Sequence, residues 1–309
     1  MSDAPRQAKL SVVIVAYKNR DDLEVCLNSL QRYNNIGSGL EVIVVDNSPS
    51  LEVFEWLRIS QPWVIAIKNE NRGFGEGNNV GSTQASAPYF AFLNPDTELV
   101  EPIFDQVVRS FERIPELGAL GVRVLAEDGK SGISYFWVDG GGIIKGLLQH
   151  CLQAAGVYLP ARMCTSGADL FVRRSAFEGA GRFDQRFFLY NEEADLWRRI
   201  TSLGYRWDYD RTLRLMHKEG GSMEGQSYSL RYRLESLRLY CAKYSISYRK
   251  RLSQESRYLG LKILILRVFR SRSVEAARFN KNIVMEYLVQ GESAARSACI
   301  ADEDQVEQR

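Results

Sequence analysis

The sequence predicts an α/β protein, a mostly parallel sheet flanked by helices, with a helical C-terminal extension. Three observations carry this. Runs of β-branched and aromatic residues alternate with helically spaced apolar residues over about the first 100 positions, the pattern of βαβ units with right-handed crossovers. Each run ends at a polar or Gly-rich stop. Beyond Gly220-Gly221 the pattern becomes helical and cationic, as in Leu230-Arg231-Tyr232-Arg233-Leu234.

Leu10 to Tyr17 (LSVVIVAY) is apolar without alternation, as a strand covered on both faces of a parallel sheet must be. Leu23, Cys26, Leu27 and Leu30 fall at i, i+3, i+4 and i+7 and predict an amphipathic helix. Leu40 to Val45 (LEVIVV) is a second strand, stopped by Asp46-Asn47-Ser48-Pro49. A helix over Leu51 to Leu57 leads to a third strand, Val64 to Ile67, and the Gly-rich Asn71 to Gly81 opens a further helix. Tyr89 to Leu93 (YFAFL) is a fourth strand, ending at Asn94-Pro95-Asp96. The middle is irregular, with Gly140-Gly141-Gly142 in a long loop. Strand signals return at Ala168 to Arg174, and Glu192 to Leu203 reads as a helix. The last 19 residues, Gly291 to Arg309, are small, polar and acidic and read as a frayed, flexible end. The chain thus divides into a domain over residues 1–225 and a basic helical region over residues 226–309.

Composition narrows the function. With 309 residues, 45% hydrophobic and 25% charged, the chain is neither disordered, nor fibrous, nor a small disulfide scaffold. The formal net charge of +2 conceals an asymmetry: residues 226–290 carry 14 basic and 4 acidic side chains, a net of +10, beside a remainder of −8. Five widely spaced cysteines (Cys26, Cys151, Cys164, Cys241, Cys299), with no CxxC, read as reduced thiols of a cytoplasmic protein. The opening MSDAPRQAKL lacks the basic and apolar regions of a secretory signal. LGLKILILRVF (Leu259–Phe269) is too short to span a bilayer and is interrupted by Lys262 and Arg267.

In open α/β sheets ligands bind outside the carboxyl ends of the strands. Gathered there are Ala16 to Arg20, Asp46 and Asn47, the Lys68 to Asn79 stretch, and Asn94-Pro95-Asp96. Singly, Asp46 and Asp96 read equally well as turn or cap residues. Together with the amides and the glycines they form a convergent polar edge. A dinucleotide site would require GxGxxG after the first strand. That turn reads AYKNR, and the glycines follow the third strand instead, so this alternative fails.

Seven segments in order resemble those of family 2, GT-A-type inverting glycosyltransferases: VVIVAYKNR (Val12–Arg20), VIVVDNSP (Val42–Pro49), NENRGFGEGNNVG (Asn69–Gly81), FLNPDTEL (Phe92–Leu99), TSGADLFVRRSAFE (Thr165–Glu178), FDQRFFLYNEEADLWRR (Phe183–Arg199) and HKEGGS (His217–Ser222). They span about residues 9–222. Within the family, the NPD and YNEEADL pieces resemble the rhamnosyltransferase-like branch of bacterial polysaccharide biosynthesis.

The resemblance implies a GT-A fold, a Rossmann-like sheet with flanking helices. It implies a nucleotide-diphosphate sugar donor, dTDP-L-rhamnose or alternatively a UDP-hexose, with Mg²⁺ or Mn²⁺ as cofactor. The acceptor it implies is a lipid-linked intermediate of an O-antigen, capsule or cell-wall glycan, met by an enzyme peripheral at the inner face of the cytoplasmic membrane. Ala16, Tyr17 and Arg20 then wall the nucleotide pocket, and Asp46 and Asn47 take the base or ribose. Arg72, Gly73, Phe74 and Asn78 belong to the loop that closes over it. Asp96 occupies the last position of the family's DxD metal motif, whose first two positions here are Asn94 and Pro95. His217 matches a position supplying an imidazole to the metal, or else is a capping or core histidine. Asp169 matches the junction of donor sugar and acceptor, or else caps a turn.

Inversion needs a base for the acceptor hydroxyl. The family places Glu-Asp here with the second acid as base, which gives Glu193, with Glu192 and Asp195 as substitutes. Acids in a first helical turn also simply complement the helix dipole. Tyr135 and Trp137 read as core packing or as an acceptor platform, and Arg173 and Arg174 as surface residues. The basic region either lies on an anionic membrane surface or forms a helical bundle, against the catalytic domain or in a homodimer. No nucleic-acid module is present. A relative that binds a nucleotide sugar without catalysis is the competing class, favoured by Asn94 in place of an acid and by Glu193 in place of Asp.

Overall fold

A computed structural model describes residues 8–140, 142–218, 226–269 and 273–289. Gly141, the end of the HKEGGS segment and the expected frayed end lie outside these residues. The chain divides into two compact units, one over residues 1–138 and 152–222, the other over 139–151 and 223–309.

In chain order the elements are β1 (Leu10–Ala16), α1 (Arg20–Arg32), β2 (Leu40–Asp46), α2 (Glu52–Ser60), β3 (Ile65–Lys68), α3 (Phe74–Gln84), β4 (Tyr89–Leu93), β5 (Thr97–Leu99) and α4 (Phe104–Arg113). There follow β6 (Leu117–Leu125), β7 (Tyr135–Trp137), α5 (Ile143–Ala155), β8 (Met163–Thr165), β9 (Asp169–Arg173), α6 (Arg174–Gly179), α7 (Glu192–Ser202) and β10 (Arg206–His217). Then come α8 (Gln226–Lys243), α9 (Tyr248–Val268) and a last helix over residues 274–289.

Eight strands form one sheet in the order β3-β2-β1-β4-β9-β6-β10-β5, and β7 and β8 form a separate antiparallel pair. β1 runs parallel to β2 and β4, and β2 to β3; β9 is antiparallel to both β4 and β6, while β10 is parallel to β6. The carboxyl ends of β1, β2, β4 and β10 and the amino end of β9 therefore share one edge. β1 lies inside the sheet and is buried at every position, which is why its sequence shows no polar alternation.

One face of the sheet packs Val12 and Ile14 against Leu23, Leu27, Phe104 and Phe111 from α1 and α4. The other carries α3, α6 and α7, where Phe90, Phe92, Phe177 and Phe183 form a ring cluster with centroids 4.9–5.8 Å apart. The region read as irregular holds α4, whose Phe104, Val107, Val108 and Phe111 fall at i, i+3, i+4 and i+7, a legible helical signal. Tyr135 is core, ringed by Tyr158 and Tyr209. Arg173 and Arg174 correct the expectation of surface residues. Arg173 donates to the carbonyls of Phe111, Ile114 and Leu117, and Arg174 to those of Ala85 and Ala87, so both close chain ends that would otherwise be short of donors.

The second unit has its own core of Leu230, Leu234, Leu237, Cys241, Leu252, Leu259, Ile283, Val284 and Tyr287. These residues pack on one another, while Leu264, Ile265, Val268 and Phe269 stay exposed, and Arg231, Arg233 and Arg238 pair with Glu286, Glu255 and Glu235. Among the described residues no helix is long and apolar enough to cross a membrane.

Candidate active site

The parallel register that sets Ala16 beside Asp46 builds the first part of the site. Asp46 is fully buried; its Oδ1 accepts from Ser48 N at 2.9 Å and its Oδ2 lies 3.3 Å from Lys68 Nζ, delivered by the β2–β3 register. Lys68 Nζ also donates to the Ser48 carbonyl. Asn47 N donates to Ala16 O at 2.9 Å, and Asn69 Nδ2 to Asn47 Oδ1 at 3.0 Å. Tyr17 N is held by Asn19 Oδ1, and Lys18, left-handed at φ +57°, donates to Ser48 Oγ. The first two strand ends are thus laced into one rigid polar floor. Arg20 and Arg72 do not join it: Arg20 stacks 5.2 Å from the Trp56 ring centroid, and the exposed Arg72 pairs with Glu70 at 2.6 Å.

The glycine stretch serves packing. At Gly81 a Cβ would fall 2.4 Å from Val13 Cγ1, and at Gly77 2.9 Å from Val15, so α3 lies close on β1 only because both lack side chains. Gly73, at φ +105°, would place a Cβ 2.4 Å from Phe188 O, and the next amide, Phe74 N, donates to that oxygen at 2.9 Å. Asn79 clamps the Phe183 backbone through both side-chain atoms (2.8 and 3.0 Å). Buried Asn78 donates to Phe74 O, and its Oδ1 accepts no hydrogen bond. Residues 73–79 therefore tie the segment preceding α7 to the sheet.

At the end of β4, Asn94 N donates to Ala168 O at 3.1 Å, joining the NPD turn to the residues before β9. β5 pairs antiparallel with β10, Thr97 opposite His217. This puts His217 Nε2 3.2 Å from Asp96 Oδ1 and 3.3 Å from Asn94 Nδ2. Asp96 Oδ1 is buried and accepts no hydrogen bond. A buried carboxylate oxygen so placed costs several kcal/mol unless a cation meets it, and an adjacent imidazole nitrogen is a second donor, so the pair fits a divalent ion. Among the described residues no group of three or more His, Cys, Asp or Glu side chains gathers in this way.

The three acids of α7 separate clearly. Tyr190 and Asn191 precede the helix with φ of +71° and +65°, a strained entry that aims its first turn. Glu193 Oε1 lies 3.5 Å from where a Cβ on Gly167 would stand, at the same edge as Asn94. Burial pushes the Glu193 carboxyl up from 4.5 to about 7, and its Oε2 accepts no hydrogen bond. Glu192 is buried more completely, and desolvation with the neighbouring Glu193 charge raises it well above the usual range. Asp195 turns inward: its Oδ2 meets Arg199 at 2.7 and 2.8 Å, and that guanidinium also donates to the carbonyls of Ala180 and Arg182. Asp169 turns inward too. It is fully buried in β9, accepts from Val122 N at 2.9 Å, and burial raises its carboxyl well above the usual value.

Comparison with known proteins identifies the family and the fold. The model of the family described as Glycosyl transferase family 2 matches residues 11–174. O-antigen biosynthesis protein RfbC of Myxococcus xanthus is 26% identical over 231 residues, 68% of this chain and 17% of that protein. An N-acetylglucosaminyl-diphospho-decaprenol L-rhamnosyltransferase of Mycobacterium tuberculosis is 29% identical over 147 residues, 42% of this chain and 46% of that protein. The chain thus spans less than half the length of these two relatives. The mannosyltransferase PcManGT from Pyrobaculum calidifontis, solved with GDP-Man and Mn²⁺, superposes with a TM-score of 0.53 at 13% identity, covering 99% of this chain and 82% of that one. The fold is of the GT-A type expected from the sequence.

Proposed function

Since this chain belongs to glycosyl transferase family 2, we propose that it is a metal-dependent, inverting glycosyltransferase using a nucleotide-diphosphate sugar. The observation that carries the reading is the shared edge: Asp96 and His217 lie 3.2 Å apart on one side of Asn94, and Ala168, Gly167 and Glu193 follow on the other. Asp46, Asn47 and the Ala16–Tyr17 turn offer the nucleotide a rigid polar floor.

Asp96 Oδ1 and His217 Nε2 would hold Mg²⁺ or Mn²⁺. When bound, such an ion neutralises charge gathering on the departing diphosphate. Glu193 accepts the proton of the acceptor hydroxyl as that oxygen bonds to the anomeric carbon. The bond from that carbon to the nucleotide's phosphate oxygen breaks on the opposite face, its electron pair leaving with the diphosphate. Glu193 suits this role because burial raises its carboxyl to about 7 and its Oε2 accepts no hydrogen bond, whereas Asp195 is committed to Arg199 and Glu192 lies deeper, where desolvation and the Glu193 charge disfavour its ionised form.

The donor is dTDP-L-rhamnose, with a UDP-hexose as the alternative, and the acceptor a lipid-linked bacterial surface-glycan intermediate. The Mycobacterium tuberculosis relative, an N-acetylglucosaminyl-diphospho-decaprenol L-rhamnosyltransferase, supports both. Peripheral attachment to the inner face of the cytoplasmic membrane is supported by the basic second unit and by exposed Leu264, Ile265, Val268 and Phe269 near the end of α9. The test is a calorimetric titration with dTDP, UDP and GDP, with and without Mn²⁺. Metal-dependent dTDP binding that Asp96→Ala weakens is the expected result, and UDP preference moves the donor to a hexose. Absence of nucleotide binding throughout overturns the transferase reading.

A further inference from the structure

β6 and β10 carry a second, cationic feature. Gly121 of β6 faces Thr165 of β8 so closely that a Cβ would fall 2.3 Å from Thr165 Cγ2, and Trp207 Nε1 of β10 donates to Thr165 Oγ1 at 3.0 Å. α7 lies on the same side, since a Cβ on Gly167, two residues beyond Thr165, would stand 3.5 Å from Glu193 Oε1. Side chains two residues apart on a strand share a face. Arg123 therefore stands just beyond Gly121, and Tyr209 just beyond Trp207, on the face that bears Glu193 and toward the same carboxyl edge.

There the β6–β10 ladder slips: Asp210 pairs with Val122 and Arg214 with Arg123, so residues 211–213 leave the pairing. The slip opens a cleft of about 220 Å³ lined by Arg123, Arg211, Tyr209, Thr212, Gln153 and Gly156. Arg123 donates to Ser131 Oγ, and Arg211 lies along Gly156. The nearby Asp210 is turned to its own loop, its Oδ1 accepting from Thr212 N and Oγ1 (2.8 and 2.6 Å). Among the described residues no carboxylate pairs with either guanidinium. The volume falls below the roughly 300 Å³ at which pockets for drug-sized ligands begin. Two planar forks with backbone and hydroxyl donors suit phosphate oxygens.

We propose that this cleft binds the diphosphate of the acceptor, distinct from the donor's diphosphate at Asp96. The inference rests on the transferase reading for the identity of the acceptor, but the anion site itself does not. Arg123 and Arg211 anchor the charged head of the acceptor while its sugar hydroxyl reaches Glu193 on the same face.

The test titrates inorganic pyrophosphate into the full chain by calorimetry without divalent metal, so that the metal-dependent donor site at Asp96 takes no part, and nucleotide affinity is measured separately with Mn²⁺. Expected is one pyrophosphate site that the exposed-residue variant Arg123→Gln/Arg211→Gln weakens at least tenfold, with nucleotide affinity unchanged. In turnover, a sugar linked to a short prenyl diphosphate should exceed the same sugar on a neutral alkyl group in kcat/KM by about tenfold or more, a preference the double variant loses. Failure of wild type to bind pyrophosphate, or equal binding by the variant, overturns the cleft. Loss of nucleotide binding alone overturns the transferase reading and leaves the cleft standing.

Discussion

His217 Nε2 lies 3.2 Å from Asp96 Oδ1, and the antiparallel pairing of β5 with β10 is what puts it there. The family match ends at residue 174, so this imidazole reaches the acid from outside the matched segment, as does Glu193. A single buried carboxylate in an NPD turn is a weak metal site. An imidazole 3.2 Å away supplies the second donor that the proposed metal role needs.

Asp96→Ala should lower metal-dependent nucleotide affinity by more than about tenfold, equivalent to about 1.4 kcal/mol, and His217→Ala by a smaller factor. Titration with and without Mn²⁺ checks this. Equal metal dependence in wild type and both variants would remove the pair from the metal site.

Glu193 titrates near 7, and a base must be deprotonated, so kcat/KM should rise with pH and level off above about 7. Stability runs the other way. Between 4.5 and about 7 the folded chain keeps a proton that the unfolded chain releases, so stability falls as pH rises through that window. Glu193→Gln should cut kcat by about 10²–10⁴ and abolish the rising limb. Above pH 7 it should also gain on the order of 2 kcal/mol in stability. Retained activity in this variant would transfer the role to another group.

Asp195 acts through Arg199. Asp195→Ala strands a half-buried guanidinium and should cost about 3 kcal/mol of stability. Activity should fall in step with Tm, while the pH profile keeps its limb near 7. A shifted limb at unchanged Tm would return Asp195 to the proton-transfer chemistry.

Gly73→Ala meets both a positive φ and the Phe188 carbonyl, and should destabilise by about 2 kcal/mol. Asn79→Leu removes two hydrogen bonds to Phe183 and should cost a similar amount, about 2 kcal/mol. Denaturant unfolding checks both, and a variant matching wild type would show that this tie is dispensable.

The full chain should sediment with vesicles containing anionic lipid and not with zwitterionic ones, less so as salt rises. Replacing Val268 and Phe269, 71% and 78% exposed, with Ser should weaken this. Concentration-dependent mass in ultracentrifugation without vesicle binding would favour a homodimer.

Much of the donor half was legible because its signals are local. A continuous run such as LSVVIVA can only be an interior strand, and the stops at Asp46 and Asn94 mark the sheet edge proposed to bind the donor. The Gly-rich stretch reads as a helix and forms one, yet the reason for its glycines, the approach of Gly77 and Gly81 to Val15 and Val13, depends on a neighbouring strand no local pattern names. Arg173 and Arg174 read as surface residues in the sequence for the same cause: the carbonyls they serve belong to distant segments.

The sequence by itself determined the α/β class, the order of the first strands, the family and the candidate acids, since periodicity and motif are properties of adjacent residues. Only the tertiary structure decided which acids are available. Asp195 and Glu193 share one helical turn and differ in sequence by little. Arg199 takes one and Gly167 leaves room for the other, because ion pairing and desolvation depend on what the fold brings near.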